Sequence, residues 1–180
     1  MRQMSPFGFE ITPDIEAEAF ADPTRIPASL QTPDWKQELL TDLASSRVGD
    51  RHRALSALGG WDADPEVATA LRPLLASEDA VEAGMAADAL SRQRFMTDLP
   101  ALVDLVHRMS PADGGTTDSM VMPLQAALRL AEAAGPEIAS GLRVRARAWR
   151  GEASQRRERW QEDLDVGLDE LLRDPDTASE

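Results

Sequence analysis

The chain has 180 residues, no cysteine and no tyrosine, and 19 basic against 32 acidic residues give a net charge of −13. Absence of cysteine excludes disulfides, thiolate catalysis and cysteine-ligated metal sites. The opening Met1-Arg-Gln-Met-Ser-Pro-Phe-Gly-Phe-Glu10 lacks the apolar core of a signal peptide, and no run approaches a membrane span, so a cytoplasmic protein is expected.

Residues 1–31 are expected to form an N-terminal arm. Pro6, Pro13, Pro23 and Pro27 prevent a long helix. Phe7, Phe9 and Ile11 alternate as in a short extended piece, and one or two helical turns fit around Ile15–Phe20. The arm either lies over the body through its phenylalanines or is free of it.

Thr32-Pro33-Asp34 is a helix start: an N-cap hydroxyl, proline at the first helical position and an acid in the first turn. Trp35, Leu39, Leu40 and Leu43 mark one face of that helix, to about Ser45. A second helix is predicted from Val48 to Leu58, ending at Gly59-Gly60 in a left-handed cap. Asp64-Pro65-Glu66 opens a third with Val67, Leu71, Leu74 and Leu75, kinked at Pro73. Ser77-Glu78-Asp79 caps a fourth containing Val81, Met85, Ala86, Ala89 and Leu90, and Thr97-Asp98 starts a fifth through Leu99, Leu102 and Leu105.

A polar connection, Ser110–Ser119, precedes a sixth helix with Val121, Leu124, Leu128 and Leu130. Its Asp113-Gly-Gly-Thr-Thr-Asp118 stretch lacks the lysine and spacing of a phosphate loop and reads as a connection. Gly135-Pro136 separates that helix from a seventh, Glu137 to about Arg150. A last helix is predicted over 154–173, because Trp160, Leu164, Leu168 and Leu171 fall on one stripe; it caps the helical domain 32–173, and 174–180 is a polar tail.

The chain also repeats itself. A shift of 32 places Ala54 on Ala86, Ala57 on Ala89 and Leu58 on Leu90, and a shift of 31 places Leu71 on Leu102 and Leu74 on Leu105. A period in the thirties is that of stacked helical hairpins, each covering the apolar face of its neighbour. Arg53-Ala54-Leu55-Ser56-Ala57-Leu58-Gly59, Asp64-Pro65-Glu66-Val67 and Asp98-Leu-Pro-Ala-Leu-Val-Asp-Leu-Val106 resemble the helices and junctions of short bacterial HEAT repeats. The resemblance covers about 34–150 and departs at Glu82, where a basic residue is common, and at the 110–119 connection. It implies an all-α, right-handed HEAT-like α-solenoid of about seven to eight helices, whose concave face binds a protein and less often nucleic acid.

Two surfaces are candidates for binding. Trp61 follows Gly59-Gly60 outside any apolar stripe and reads as an exposed anchor; with Asp62, Asp64 and Glu66 it forms an acidic rim suited to a basic protein, as in inhibitor or immunity-type proteins. Acidity that only keeps the protein soluble is the plainer reading. The second surface is basic: seven arginines against Glu152 and Glu158 between 143 and 159, with Arg143, Arg147 and Arg150 on one helical face and Arg145 between them. Clustered guanidiniums recognise carboxylates or phosphates, which makes a nucleic-acid-associated protein the alternative. Local pairs such as Glu152 with Arg156, or docking of the acidic arm, would equally account for the cluster.

His52 and His107 have no second ligand at a metal-binding spacing and read as surface residues, and no glycine elbow accompanies Ser56 or Ser91. No catalytic residue, metal or cofactor is assigned, and a non-enzymatic protein is expected.

Overall fold

The computed structural model describes residues 12–22, 24–109 and 117–154. Eight α-helices account for most of them: α1 (Pro13–Ala21), α2 (Pro33–Leu43), α3 (Val48–Gly59), α4 (Pro65–Leu71), α5 (Ala80–Gln93), α6 (Leu99–Arg108), α7 (Thr117–Ala134) and α8 (Pro136–Ser154). Short 3-10 turns occur at Ala28–Leu30, Arg72–Ala76 and Met96–Asp98, and there is no strand among the described residues. The Phe7–Ile11 segment, the 154–173 helix beyond Ser154, and the tail lie outside the described residues.

Three helices begin on one device. Thr12, Thr32 and Asp64 each precede a proline at the first helical position, and each offers a side-chain oxygen to backbone N–H groups of the first turn. Thr32 Oγ1 accepts from Trp35 N at 3.3 Å and Asp64 Oδ1 from Glu66 N at 2.8 Å. Asp79 starts α5 without proline, accepting from Val81 N at 2.9 Å. Such caps satisfy donors that have no partner within the helix.

Three local expectations are corrected. α4 ends at Leu71 and continues as a 3-10 turn, rather than running kinked to Leu75, because Pro73 has no N–H for the carbonyl four residues back. α6 does start at Thr97-Asp98 as expected, though the Asp98 carboxylate makes no cap and turns instead to Arg72 Nε at 2.5 Å. The connection before α7 ends earlier than Ser119, since Thr117 is already helical. Gly60 has φ −89°, so α3 has no left-handed cap. Glycine is needed there for space: a Cβ would lie 3.0 Å from Ile26 Cγ1 and 3.2 Å from Ile26 N. Left-handed or related backbone occurs instead at Arg94 (φ 58°) and at Gly135 (φ 154°), between α7 and α8.

α5 is the most enclosed element. Ala83, Gly84, Ala86, Ala87, Ala89 and Leu90 are buried in it, and these small side chains let α3 approach on one side and α7 on the other. A Cβ on Gly59 would stand 3.7 Å from Ala89 Cα, so the α3–α5 contact is close. α2 packs on α3 and touches α4; α6 packs on α7 and touches α8, which also packs on α7. The residues superposed by the internal repeat, Ala54, Ala57 and Leu58 with Ala86, Ala89 and Leu90, are all in the core. Leu39, Leu71, Leu102, Leu124, Leu142 and Trp149 complete it, each worth about 1.5–3 kcal/mol of burial.

Before α2 the chain is docked. Ile26 N donates to Gly60 O at 2.7 Å, and Ile26 and Leu30 pack on the core. Gln31 spans the junction: its Nε2 donates to Ile26 O at 2.8 Å, and its Oε1 accepts from Asp62 N at 3.0 Å. Residues 24–31 thus lie over the body through Ile26 and Leu30, while Phe7, Phe9 and the Phe20 side chain, expected to dock the arm, lie outside what is described.

Candidate partner-binding surface

The 60–64 turn joins α3 to α4 and carries the acidic rim. Two glutamines hold it from opposite sides. Gln31 receives Asp62 N, while the buried Gln93 at the end of α5 receives Asp64 N at 2.8 Å and donates from Nε2 to Leu58 O and Trp61 O, both at 3.3 Å.

Trp61 is therefore not the exposed anchor expected from its place after Gly59-Gly60. It is 6% exposed and packs against Trp35, with ring centroids 5.3 Å apart and planes tilted by 53°. A turn between two helices ordinarily faces water, but here residues 24–31 lie over it and Gln93 draws its backbone inward.

The acids of the rim point outward, and each has a cationic partner. Asp62 is exposed and meets Arg25 Nη1 at 2.5 Å. Lys36, the one lysine of the chain, stands between Asp64 (2.9 Å) and Glu66 (2.8 Å). Partial burial pulls the Asp64 pKa upward, but the Lys36 ammonium and the N–H groups of Glu66 and Val67 outweigh it and leave the carboxyl below its ordinary value. The same two carboxylates, Glu66 first, raise the Lys36 pKa. The rim is thus largely neutralised from within, and it ties α2 to α4.

The arginines of α8 are not gathered on one surface. Arg143 pairs with Glu132 of α7 at 3.0 Å. Arg145 turns toward the end of α6, donating from Nη2 to Met109 O at 3.1 Å, with its guanidinium 5.6 Å from the Trp149 ring centroid. Arg147 is exposed. The Arg150 side chain, and Arg156, Arg157 and Arg159, lie outside the described residues.

Further ion pairs join helices far apart in sequence. Arg51 of α3 meets Glu82 of α5, whose other oxygen accepts from Ser77 Oγ at 2.5 Å. Burial would raise the Glu82 pKa, but the hydrogen bonds from Ser77 and Arg51 prevail and lower it. Arg72 holds Asp98, and Asp88 accepts from Arg92 at 2.9 Å and from Arg129 of α7 at 3.1 Å. Arg53 pairs with Asp42 and Glu38 of α2. Apart from Asp88 with Arg92, an i,i+4 pair within α5, none of these pairings is local enough to read from spacing. Glu82, the departure from the repeat pattern, proves to be one of four buried polar residues among those described, with Ser91, Gln93 and Asp98.

With these cations engaged, a set of exposed acids remains that sequence reasoning did not single out. Asp14, Glu16, Asp34, Glu78, Asp104 and Glu137 make no ion pair with a described residue. Asp14, Glu16, Asp34 and Glu137 stand in first helical turns, where a carboxylate is favoured by the helix dipole without a partner. His107 is exposed, whereas His52 is only partly so, with Nε2 buried and unpartnered. Among the described residues no three His, Asp or Glu side chains group as metal ligands, and no helix is long and apolar enough to cross a membrane. Compared with models of protein families, with curated proteins and with solved structures, the chain has no match.

Proposed function

We propose that this protein is a non-enzymatic, HEAT-like scaffold of stacked helical hairpins whose acidic surface binds a basic protein, in the manner of an inhibitor or immunity-type protein. The observation that carries the reading is the division of charge. Six described cations, Lys36, Arg51, Arg53, Arg72, Arg129 and Arg143, are held in pairs that join separate helical elements, whereas the exposed Asp34, Glu78, Asp104 and Glu137 make no ion pair with a described residue. Carboxylates held this way on a stiff body raise the encounter rate with a cationic partner and fix its orientation without rearrangement. The stacked arrangement is supported by the internal repeat, by α3–α5–α7 contacts in sequence, and by α2–α4 and α6–α8 contacts beside them.

The nucleic-acid alternative loses support from α8, where Arg143 and Arg145 are engaged within the protein. The Asp62-Asp64-Glu66 rim is also a weaker candidate than the unpaired acids, because Lys36 and Arg25 already occupy it.

The test is capture from the source lysate at physiological salt with the native chain and with an Asp34→Lys/Glu78→Lys/Asp104→Lys variant, after circular dichroism shows equal helicity. A stoichiometric basic protein retained by the native chain, and lost from the variant or at about 0.5 M salt, is the expected result. A partner held equally by both proteins refutes the acidic surface, and recovery of nucleic acid instead refutes the reading as a whole.

A further inference from the structure

The turns that lead into α3 and into α5 are built alike. Ser45 Oγ accepts from Arg47 N at 3.1 Å and donates to Asp50 Oδ2 at 2.9 Å. Ser77 Oγ accepts from Asp79 N at 3.2 Å and donates to Glu82 Oε2 at 2.5 Å. The offset of 32 residues is the one that superposes Ala54 on Ala86 and Leu58 on Leu90, so Asp50 and Glu82 hold the same position in successive repeats. In each pair the serine serves one carboxylate oxygen and leaves the other. At Glu82 that other oxygen is taken by Arg51 Nε from the preceding repeat, and Arg51 Nη1 also donates to Ser45 O at 3.0 Å. At Asp50, Oδ1 receives no donor from a described residue. α2, which packs on α3, has one cation, Lys36, and it is held at Asp64 and Glu66. Arg47 Nε lies 3.8 Å from Oδ2, the oxygen Ser45 already serves, and the Arg47 side chain is 83% exposed, so this pair contributes little.

We infer, on the reading that this protein binds a basic partner, that Asp50 is the acceptor for an arginine of that partner, docked at the start of α3 as Arg51 is docked at the start of α5. A guanidinium is selected over an ammonium group. The occupied site uses Nε and Nη1 of one planar fork to span a carboxylate and a carbonyl, which a single ammonium centre matches poorly. There is room for the incoming side chain: the Asp50 side chain is 29% exposed, and a Cβ added to Gly49 meets nothing within 4 Å. The exposed Val48 beside them offers apolar surface to the methylenes of an arginine. The positive end of α3 opposes a cation here, but the start of α5 opposes Arg51 in the same way, and there the carboxylate prevails.

The probes are amidated hexa-arginine and hexalysine, titrated at physiological salt into the isotope-labelled full-length protein and followed by backbone amide NMR. Hexa-arginine should bind at least about threefold tighter than hexalysine and shift the amides of Val48, Gly49 and Asp50 most. Asp50→Asn should abolish that preference and weaken hexa-arginine binding about fivefold. Asp50→Glu places at this position the residue found at its counterpart, Glu82, and should keep both the affinity and the preference. Glu132→Gln removes the same charge at a remote pair and should change binding by less than about twofold. Circular dichroism on all three variants, with the conservative Asp50→Glu, separates loss of the acceptor from loss of fold. Equal affinities for the two peptides, or equal effects of Asp50→Asn and Glu132→Gln, would overturn the assignment of Asp50 while the acidic surface still stands or falls on capture of its partner. An arginine preference that depends on Asp50, with no basic protein captured from the lysate, would keep the site and remove the proposed partner.

Discussion

Replacing Glu82 by alanine should destabilise the protein more than any exposed acidic substitution. The Glu82 side chain is 6% exposed and that of Arg51 19%, so alanine leaves a mostly buried guanidinium with the Ser45 carbonyl as its remaining acceptor, at 3.0 Å. Removing one partner of a buried pair typically costs about 3–5 kcal/mol, and partial access of Arg51 to water places this case at the lower end, about 3 kcal/mol. For a protein of this size that is roughly a 6–12 °C fall in Tm. The double variant Arg51→Met/Glu82→Leu removes both charges and keeps apolar volume, so it should recover most of the loss. Urea unfolding of the two single variants, the double variant and the native chain measures the coupling between the residues. Strict additivity, or a Glu82→Ala midpoint equal to that of the native protein, would refute the view that this pair joins α3 to α5.

The same carboxyl sets a direction in acid. Its pKa is lower folded than the ordinary value of 4.5, so between the two values the unfolded chain binds more protons. Its stabilising contribution is then complete above about 4.5 and lost as pH falls through the folded value. The native chain should lose stability in that range more steeply than Glu82→Ala.

Gly60→Ala puts a methyl group against Ile26 and should cost about 1–3 kcal/mol in urea unfolding, with faster amide exchange at Ile26; an unchanged midpoint and exchange rate would show that residues 24–31 are not held on the turn. Trp61→Ala empties a core site beside Trp35 and should lower stability by about 3–5 kcal/mol, whereas a surface anchor would change only binding. Asp64→Asn retains a competent helix cap but loses the charge beside Lys36, so it should cost under about 1 kcal/mol at pH 7. Asp64 has a pKa below 3.8 when folded, so its contribution fades as pH falls below that value, and the native and Asp64→Asn proteins should converge in thermal unfolding as the solution is acidified further.

The helices and their starts were legible because their causes are local. Thr32-Pro33-Asp34 and Asp64-Pro65-Glu66 carry the cap, the proline and the acid within three residues, and the stripe Trp35, Leu39, Leu43 needs only helical periodicity. The internal repeat likewise picked out Ala54, Ala57 and Leu58 with Ala86, Ala89 and Leu90, since close helix packing demands small side chains at matching positions. Asp98 shows where this logic stops. Its place after Thr97 is that of a cap, but Arg72, 26 residues earlier, competes for the carboxylate and takes it. Gly60 had the right residue for a left-handed cap and a different reason for being glycine, the approach of Ile26, which no window around Gly60 contains. Trp61 failed for the same cause, because Trp35, which packs on it, and residues 24–31, which bond to its turn, lie far from it in the sequence.

These non-local contacts also decide which charges are open to a partner. Composition alone makes every acid an equal candidate, and the cluster near Trp61 stood out because it is dense and adjoins a tryptophan that read as an exposed anchor. Density is the wrong criterion, because acids that cluster where two helices join are the ones a neighbouring cation can bridge, as Lys36 does for Asp64 and Glu66. Acids isolated on first helical turns are stabilised by the helix dipole instead, which needs no counter-charge. Asp34 and Glu137 are of this second kind, and neither makes an ion pair with a described residue. A basic partner approaching them has no internal cation to displace. The surface most open to binding is therefore the dispersed one rather than the dense one, and charge reversal at Asp34, Glu78 and Asp104 should weaken capture more than reversal at Asp62 and Glu66.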